Sequence, residues 1–131
     1  MSENSADLTV ADRFLAEFQA RDWERLSGLL ADDVTWTMPG TGTISGTIRG
    51  KDAVVGRARH IAGQGLHTEL LHVLVGAHGA ALSLRNTATA PDGRRLDEHL
   101  ATVLTTQCGR ITAIDSYLSD VEGMSAFFSE A

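Results

Sequence analysis

Residues 94–120 read RRLDEHLATVLTTQCGRITAIDSYLSD, and the parsing of this stretch decides the fold. It divides into two strands, residues 95–106 and 110–119, joined across Gln107-Cys108-Gly109. Thr102, Val103, Thr105, Ile111, Thr112, Ile114 and Tyr117 are the β-branched and aromatic residues that suit a pleated surface. Gly109 supplies the permissive backbone that a tight connection needs. Such a hairpin is not stable alone in water; it requires further strands and a layer packed on one face.

The upstream chain supplies both. Residues 1–6 are small and polar and are expected to fray. Asp7 or Thr9 can cap a helix over 10–20, where Val10, Phe14, Leu15 and Phe18 recur at helical spacing. Asp22 caps a second helix over 23–30, which Ala31-Asp32-Asp33 ends. Residues 34–38 alternate as a strand, Pro39-Gly40 stops it, and residues 41–48 form a loose strand with a turn. A third helix spans 52–62, with Ala53, Val54, Ala58 and Ile61 inward and Arg57, Arg59 and His60 outward. Strands over 66–75 and 80–90 then join the hairpin in a four-strand meander, and a helix over 121–129 closes the chain. With no repeat or linker, 131 residues form a single α+β domain, with helices on one side of a curved, mixed or antiparallel sheet.

Composition narrows the function. Hydrophobic residues make up 43% and charged residues 21%, the balance of a globular domain. A formal charge of −6 disfavours nucleic acid and anionic membrane as partners. No apolar run approaches the roughly 20 residues that span a bilayer, and residues 1–7 do not resemble a secretion signal. The lone Cys108 fits a reducing, cytoplasmic compartment.

Strand alternation sorts the side chains. Leu70, His72 and Leu74 are expected inward, followed by Leu82, Leu84 and Asn86 on the next strand. The hairpin adds Glu98, Leu100, Thr102 and Leu104, then Ile114, Ser116 and Leu118. Arg85, Asp97, His99, Asp115 and Tyr117 fall outside. Each inward set is apolar apart from a polar residue such as His72, Asn86, Glu98 or Ser116, and a buried polar group needs a partner or a task. A carboxylate facing an apolar hollow has its pKa raised by desolvation, which suits Glu98 to proton transfer. The structural alternative is a salt bridge from Glu98 to Arg94, Arg95 or Arg85. His72 is a candidate assisting acid or base, or a core or edge histidine.

Other motifs carry less. Gly46-Thr47-Ile48-Arg49-Gly50-Lys51 has three residues between its glycines, and Asp52 stands where a phosphate loop needs a hydroxyl, so it reads as a strand-to-helix turn. His67 and His72 fall on opposite strand faces, as do the neighbours in Asp97-Glu98-His99, so no metal set converges and no cofactor is implied.

In Arg21-Asp22-Trp23, in 30–36 (LADDVTW), in Met38-Pro39-Gly40, in Gly50-Lys51-Asp52 and in 109–118, the sequence resembles the nuclear transport factor two and ketosteroid isomerase superfamily, in its SnoaL-like branch. The resemblance implies a cone of curved sheet around helices, an apolar pocket, and a homodimer through the outer sheet face. It transfers catalytic residues poorly. The isomerase tyrosine position is Phe14, its proton-shuttling aspartate position is Met38, and its second acid falls near Ala101 or Thr102. The cyclase aspartate position looks like Ser116, with Asp115 one residue out of phase unless a bulge turns it inward. An epoxide hydrolase's arginine matches Arg85, but the companion aspartate is Thr87.

The expectation is a domain that binds an apolar, polycyclic or polyketide-like molecule and acts as a cofactor-independent cyclase or isomerase. Glu98 and His72 carry the proton, Asn86 and Ser116 hold an oxygen, and Phe14, Phe18, Trp36, Met38, Leu82, Leu100 and Leu118 enclose the substrate. The alternatives are a non-catalytic ligand-binding or assembly module and, behind it, an epoxide hydrolase.

Overall fold

The computed structural model describes residues 3–129. Among these, the elements follow in the order α1 (Glu3–Ala20), α2 (Trp23–Ser27), β1 (Leu30–Met38), β2 (Gly46–Arg49) and α3 (Lys51–Ala62). They continue as β3 (His67–Gly76), β4 (Gly79–Thr89), β5 (Arg95–Gln107), β6 (Arg110–Leu118) and α4 (Val121–Ser129). The strands form one sheet in the order β2-β1-β6-β5-β4-β3. The expected meander is β3 to β6, and β1 extends it by pairing parallel with β6. The α+β architecture is as read, with the strand expected over 34–38 and the loose strand expected over 41–48 joining the four-strand meander in one sheet.

The quoted stretch is the hairpin β5–β6. Gln107 pairs with Arg110, so the connection is the two residues Cys108 and Gly109, with φ of 53° and 77°. Two successive positive φ values define the turn whose twist matches the strands it joins.

Several boundaries move. α1 begins at Glu3, so residues 3–6 are its first turn and Asp7 and Thr9 lie inside it; residues 1 and 2 are outside the described part. Asp22 does cap α2, accepting from the Arg25 backbone N–H at 3.1 Å. α2 then stops at Ser27, and β1 begins at Leu30 because Leu30 pairs with Ile111 of β6. Tertiary pairing overrides the helical pattern there.

The core lies between the sheet and α1, α3 and α4. Leu26, Leu30, Val34, Leu82, Leu104, Ile111 and Ile114 are fully buried, each worth roughly 1.5–3 kcal/mol by transfer from water. Two corrections matter for the site. Arg57, expected outside, is buried. Its guanidinium donates to the carbonyls of Trp36 (3.1 Å), Gly46 (3.2 Å) and Ser45 (3.4 Å) and lies 5.4 Å from the Trp36 ring. On β3, the register with β4 shifts between Leu70 and His72. That bulge at Leu71 reverses the alternation, so His72 and Leu74, both expected inward, pair with Ser83 and Ala81 on the outer face, and Val73 faces Leu82.

Candidate functional site

The inner faces of β3 to β6 are arranged in ranks running across the strands. Thr68 pairs with Asn86 and Asn86 with Glu98, making one polar rank. One pleat further on, Leu84, Leu100 and Leu118 stand side by side, while Leu70, opposite Leu84 on the edge strand, is exposed and lies outside the hollow. The next rank is Leu82, Thr102 and Ser116. This follows from the period of two in each strand, once the pairing registers bring like positions opposite each other.

Against these ranks the helices and β1 enclose a hollow. α1 contributes Phe14 and Phe18, β1 contributes Trp36 and Met38, and α4 closes the roof with Met124 and Phe128. α4 is held by Asp120, whose carboxylate accepts from the Gly123 N–H at 2.9 Å. At its far end Arg94 donates to the Phe127 carbonyl and Thr43 to that of Phe128. The cavity volume is about 50 Å³, below the roughly 300–1,000 Å³ of pockets holding drug-sized ligands. A ring-bearing ligand therefore requires the methionines and phenylalanines of the wall to move.

The electrostatic centre is Glu98. Its side chain is 3% exposed, and its Oε2 is buried without a hydrogen-bond partner. None of the expected salt bridges forms. Arg85 pairs with Asp97 through two bonds of 2.8 and 2.9 Å on the outer face, which holds the Asp97 carboxyl below its ordinary range. Arg94 pairs with Asp92. Burial, and secondarily the negative charge of Asp120, push the Glu98 carboxyl up to about 7. Near neutral pH it therefore populates both the protonated and the ionised form, as a proton-transfer group must.

The other polar groups are tied from behind. The Trp36 Nε1–H donates to Ser116 Oγ at 3.0 Å, and the Thr68 hydroxyl donates to Asn86 Oδ1 at 2.7 Å. Both bonds are buried, and Arg57 braces Trp36 on its other side.

Ten of the eleven residues expected from the sequence thus line one hollow: Phe14, Phe18, Trp36, Met38, Leu82, Asn86, Glu98, Leu100, Ser116 and Leu118. His72 does not, because the bulge carries it to the exposed outer surface. Replacing it by Ala should change stability by no more than about 0.5 kcal/mol and leave ligand titrations of the pocket unaltered. Asp115 stays outside opposite Val103, so no bulge supplies the missing acid. Arg85, the residue matching an epoxide hydrolase's arginine, is also outside. Thr68, which orients Asn86, was legible from the same alternation that placed Leu70 inward. Arg57 was legible too, since Val54, Arg57, Ala58 and Ile61 fall at helical spacing and all are buried.

A curved sheet wrapped on helices, with one greasy hollow beneath the last helix, defines the cystatin-like or nuclear transport factor two-like class of fold. Within that class the chain belongs to the SnoaL-like domain family, whose model matches residues 11–114. It is 28% identical over 129 residues to an uncharacterized protein of Mycobacterium tuberculosis (strain ATCC 25618 / H37Rv), covering 96% of this chain and 98% of that one. It is similar in structure to Bal32a from a soil-derived mobile gene cassette, with a TM-score of 0.90, 26% identity, and 97% and 99% of the two chains covered. A candidate isomerase from Rhodopseudomonas palustris superposes with a TM-score of 0.71 at 24% identity over 91% and 92% of the two chains. That last likeness concerns the fold. No helix among the described residues is long and apolar enough to cross a membrane.

Proposed function

We propose that this domain is an acid/base enzyme, a cyclase or isomerase acting on a neutral, largely apolar, polyketide-like or polycyclic carbonyl compound. The observation that carries this reading is Glu98: a carboxyl buried in an apolar hollow, with one oxygen unpartnered and a pKa of about 7. As the carboxylate, Glu98 takes a proton from the carbon next to a carbonyl. The C–H electron pair becomes a C=C bond, and the carbonyl pair moves onto oxygen. Asn86, opposite Glu98 in the same rank, then holds that oxygen by a hydrogen bond. Returning the proton to a different carbon completes an isomerisation; alternatively the enolate carbon attacks a second carbonyl of the same molecule, whose C=O pair moves onto its oxygen and takes the proton from Glu98, closing a ring.

The test is deuterium uptake. The protein is incubated in D₂O with a panel of neutral cyclic ketones, and incorporation is read by mass spectrometry for wild type and Glu98→Gln. Exchange above the buffer rate that vanishes in the variant is the expected result. Equal exchange by the two proteins removes Glu98 from the chemistry.

A second reading, a non-catalytic ligand-binding or assembly module, is favoured by the small cavity of about 50 Å³, which the protein's own side chains largely fill. The absence of exchange with any ketone would select it.

We also propose that the outer sheet face joins two copies. Tyr117 is 64% exposed and Leu74 57%, large apolar surfaces that a partner would cover. A monomer by light scattering at micromolar concentration would overturn this.

A further inference from the structure

The ranks on the inner sheet face place hydrogen-bonding groups at two separated places. Asn86 and Glu98 share one rank, Thr102 and Ser116 share another, and the leucine rank lies between them. Glu98 and Thr102 are four residues apart on one strand, so the two polar ranks are roughly 13 Å apart along it. All four side chains are more than nine-tenths buried. Four polar groups in two clusters are a costly arrangement for a core that only had to pack.

The bonds behind these clusters fix what each offers. The Ser116 oxygen already accepts from Trp36, and the Asn86 oxygen already accepts from Thr68. Each therefore turns a hydrogen toward the hollow: the Ser116 hydroxyl proton at one end, the Asn86 amide protons at the other. Glu98 adds a carboxyl that can accept or donate beside Asn86. The buried Arg57 is occupied by three backbone carbonyls behind Trp36, so its cation is not offered to a ligand.

We infer that the pocket recognises an elongated neutral molecule with an oxygen function near each end and an apolar middle. The leucine rank receives the middle, Ser116 binds one oxygen, and Asn86 with Glu98 binds the other. Trp36 and Thr68 are positioning residues, because they set the donor character of Ser116 and Asn86. This rests on the hollow being the ligand site, as proposed above, but not on any reaction occurring there.

Three rigid probes of one shape test it: biphenyl, 4-hydroxybiphenyl and 4,4′-dihydroxybiphenyl, titrated calorimetrically at pH 6, where the phenols are neutral. The expected affinity order is dihydroxy above monohydroxy above biphenyl, the reverse of their hydrophobicity. Each hydroxyl should add roughly five- to tenfold, the scale of one hydrogen bond. Ser116→Ala should erase the increment of the second hydroxyl while leaving biphenyl affinity unchanged, and Thr68→Val should weaken hydroxyl recognition at the other end.

Biphenyl binding tightest, an equal effect of Ser116→Ala on all three probes, or no binding of any of them would each overturn the inference. Because no turnover is measured, these outcomes are separate from the deuterium assay. A protein that ranks the probes as expected yet exchanges no ketone proton keeps the two-ended pocket and loses only the enzymatic reading.

Discussion

Glu98→Gln is expected to make the protein sturdier and the reaction slower. The folded-state carboxyl titrates at about 7, against an ordinary value of 4.5. Between those values the folded protein holds a proton that the unfolded chain has lost, so wild-type stability falls as pH rises through this window. Below it both states are protonated and nothing is lost. Above it the full cost of a buried, unpartnered carboxylate is present, roughly 3 kcal/mol. Glutamine has the same shape and no charge. The variant should therefore match wild type near pH 4.5 and exceed it by about 1–3 kcal/mol at pH 8, the range allowing for the amide's own unmet hydrogen bonds. Turnover should drop roughly 10²–10⁴-fold, the usual contribution of a positioned acid or base. Denaturant unfolding of both proteins from pH 4.5 to 9 checks the first part. A wild-type curve that is flat across that range would mean that the carboxyl is solvated, and the catalytic assignment would go with it.

Arg57→Met should cost about 3–4 kcal/mol, in the range seen when one member of a buried polar set is removed. Burial without a carboxylate partner lowers the Arg57 pKa from its usual range, and three carbonyls share the charge instead. Methionine fills much of the same volume, so the loss isolates the donors rather than a void. Arg57→Lys keeps the charge but not the planar fork, and should recover only part of the deficit. A second readout separates this role from plain packing. Arg57 stacks on Trp36, and Trp36 holds Ser116, so the variant should also blunt recognition of an oxygen at that end of the pocket. An unfolding midpoint equal to that of wild type would show that water serves those carbonyls equally well.

Most of the pocket was legible because strand alternation is a strict geometric rule. Once residues 94–120 were parsed as a hairpin, Glu98, Leu100, Ser116 and Leu118 had to share a face, and the registers confirm it. His72 was misplaced for a reason no alternation can reveal. A bulge adds one residue to one strand, and its position depends on the partner strand. Arg57 departs from its expected place because its helical spacing matches the buried face, whereas a guanidinium ordinarily sits in water. The parallel pairing of β1 with β6 was equally hidden, because nothing local marks which distant strand will lie beside Leu30.

The bond from Trp36 to Ser116 joins residues 80 positions apart in the chain. Closing so long a loop is among the slower and entropically dearer steps of folding. The hollow is thus complete only when the first and final thirds of the polypeptide have met. A chain lacking β6 would lose Ser116 and Leu118 from the wall of the hollow, and with them the strand that ties β1 and β2 to the rest of the sheet.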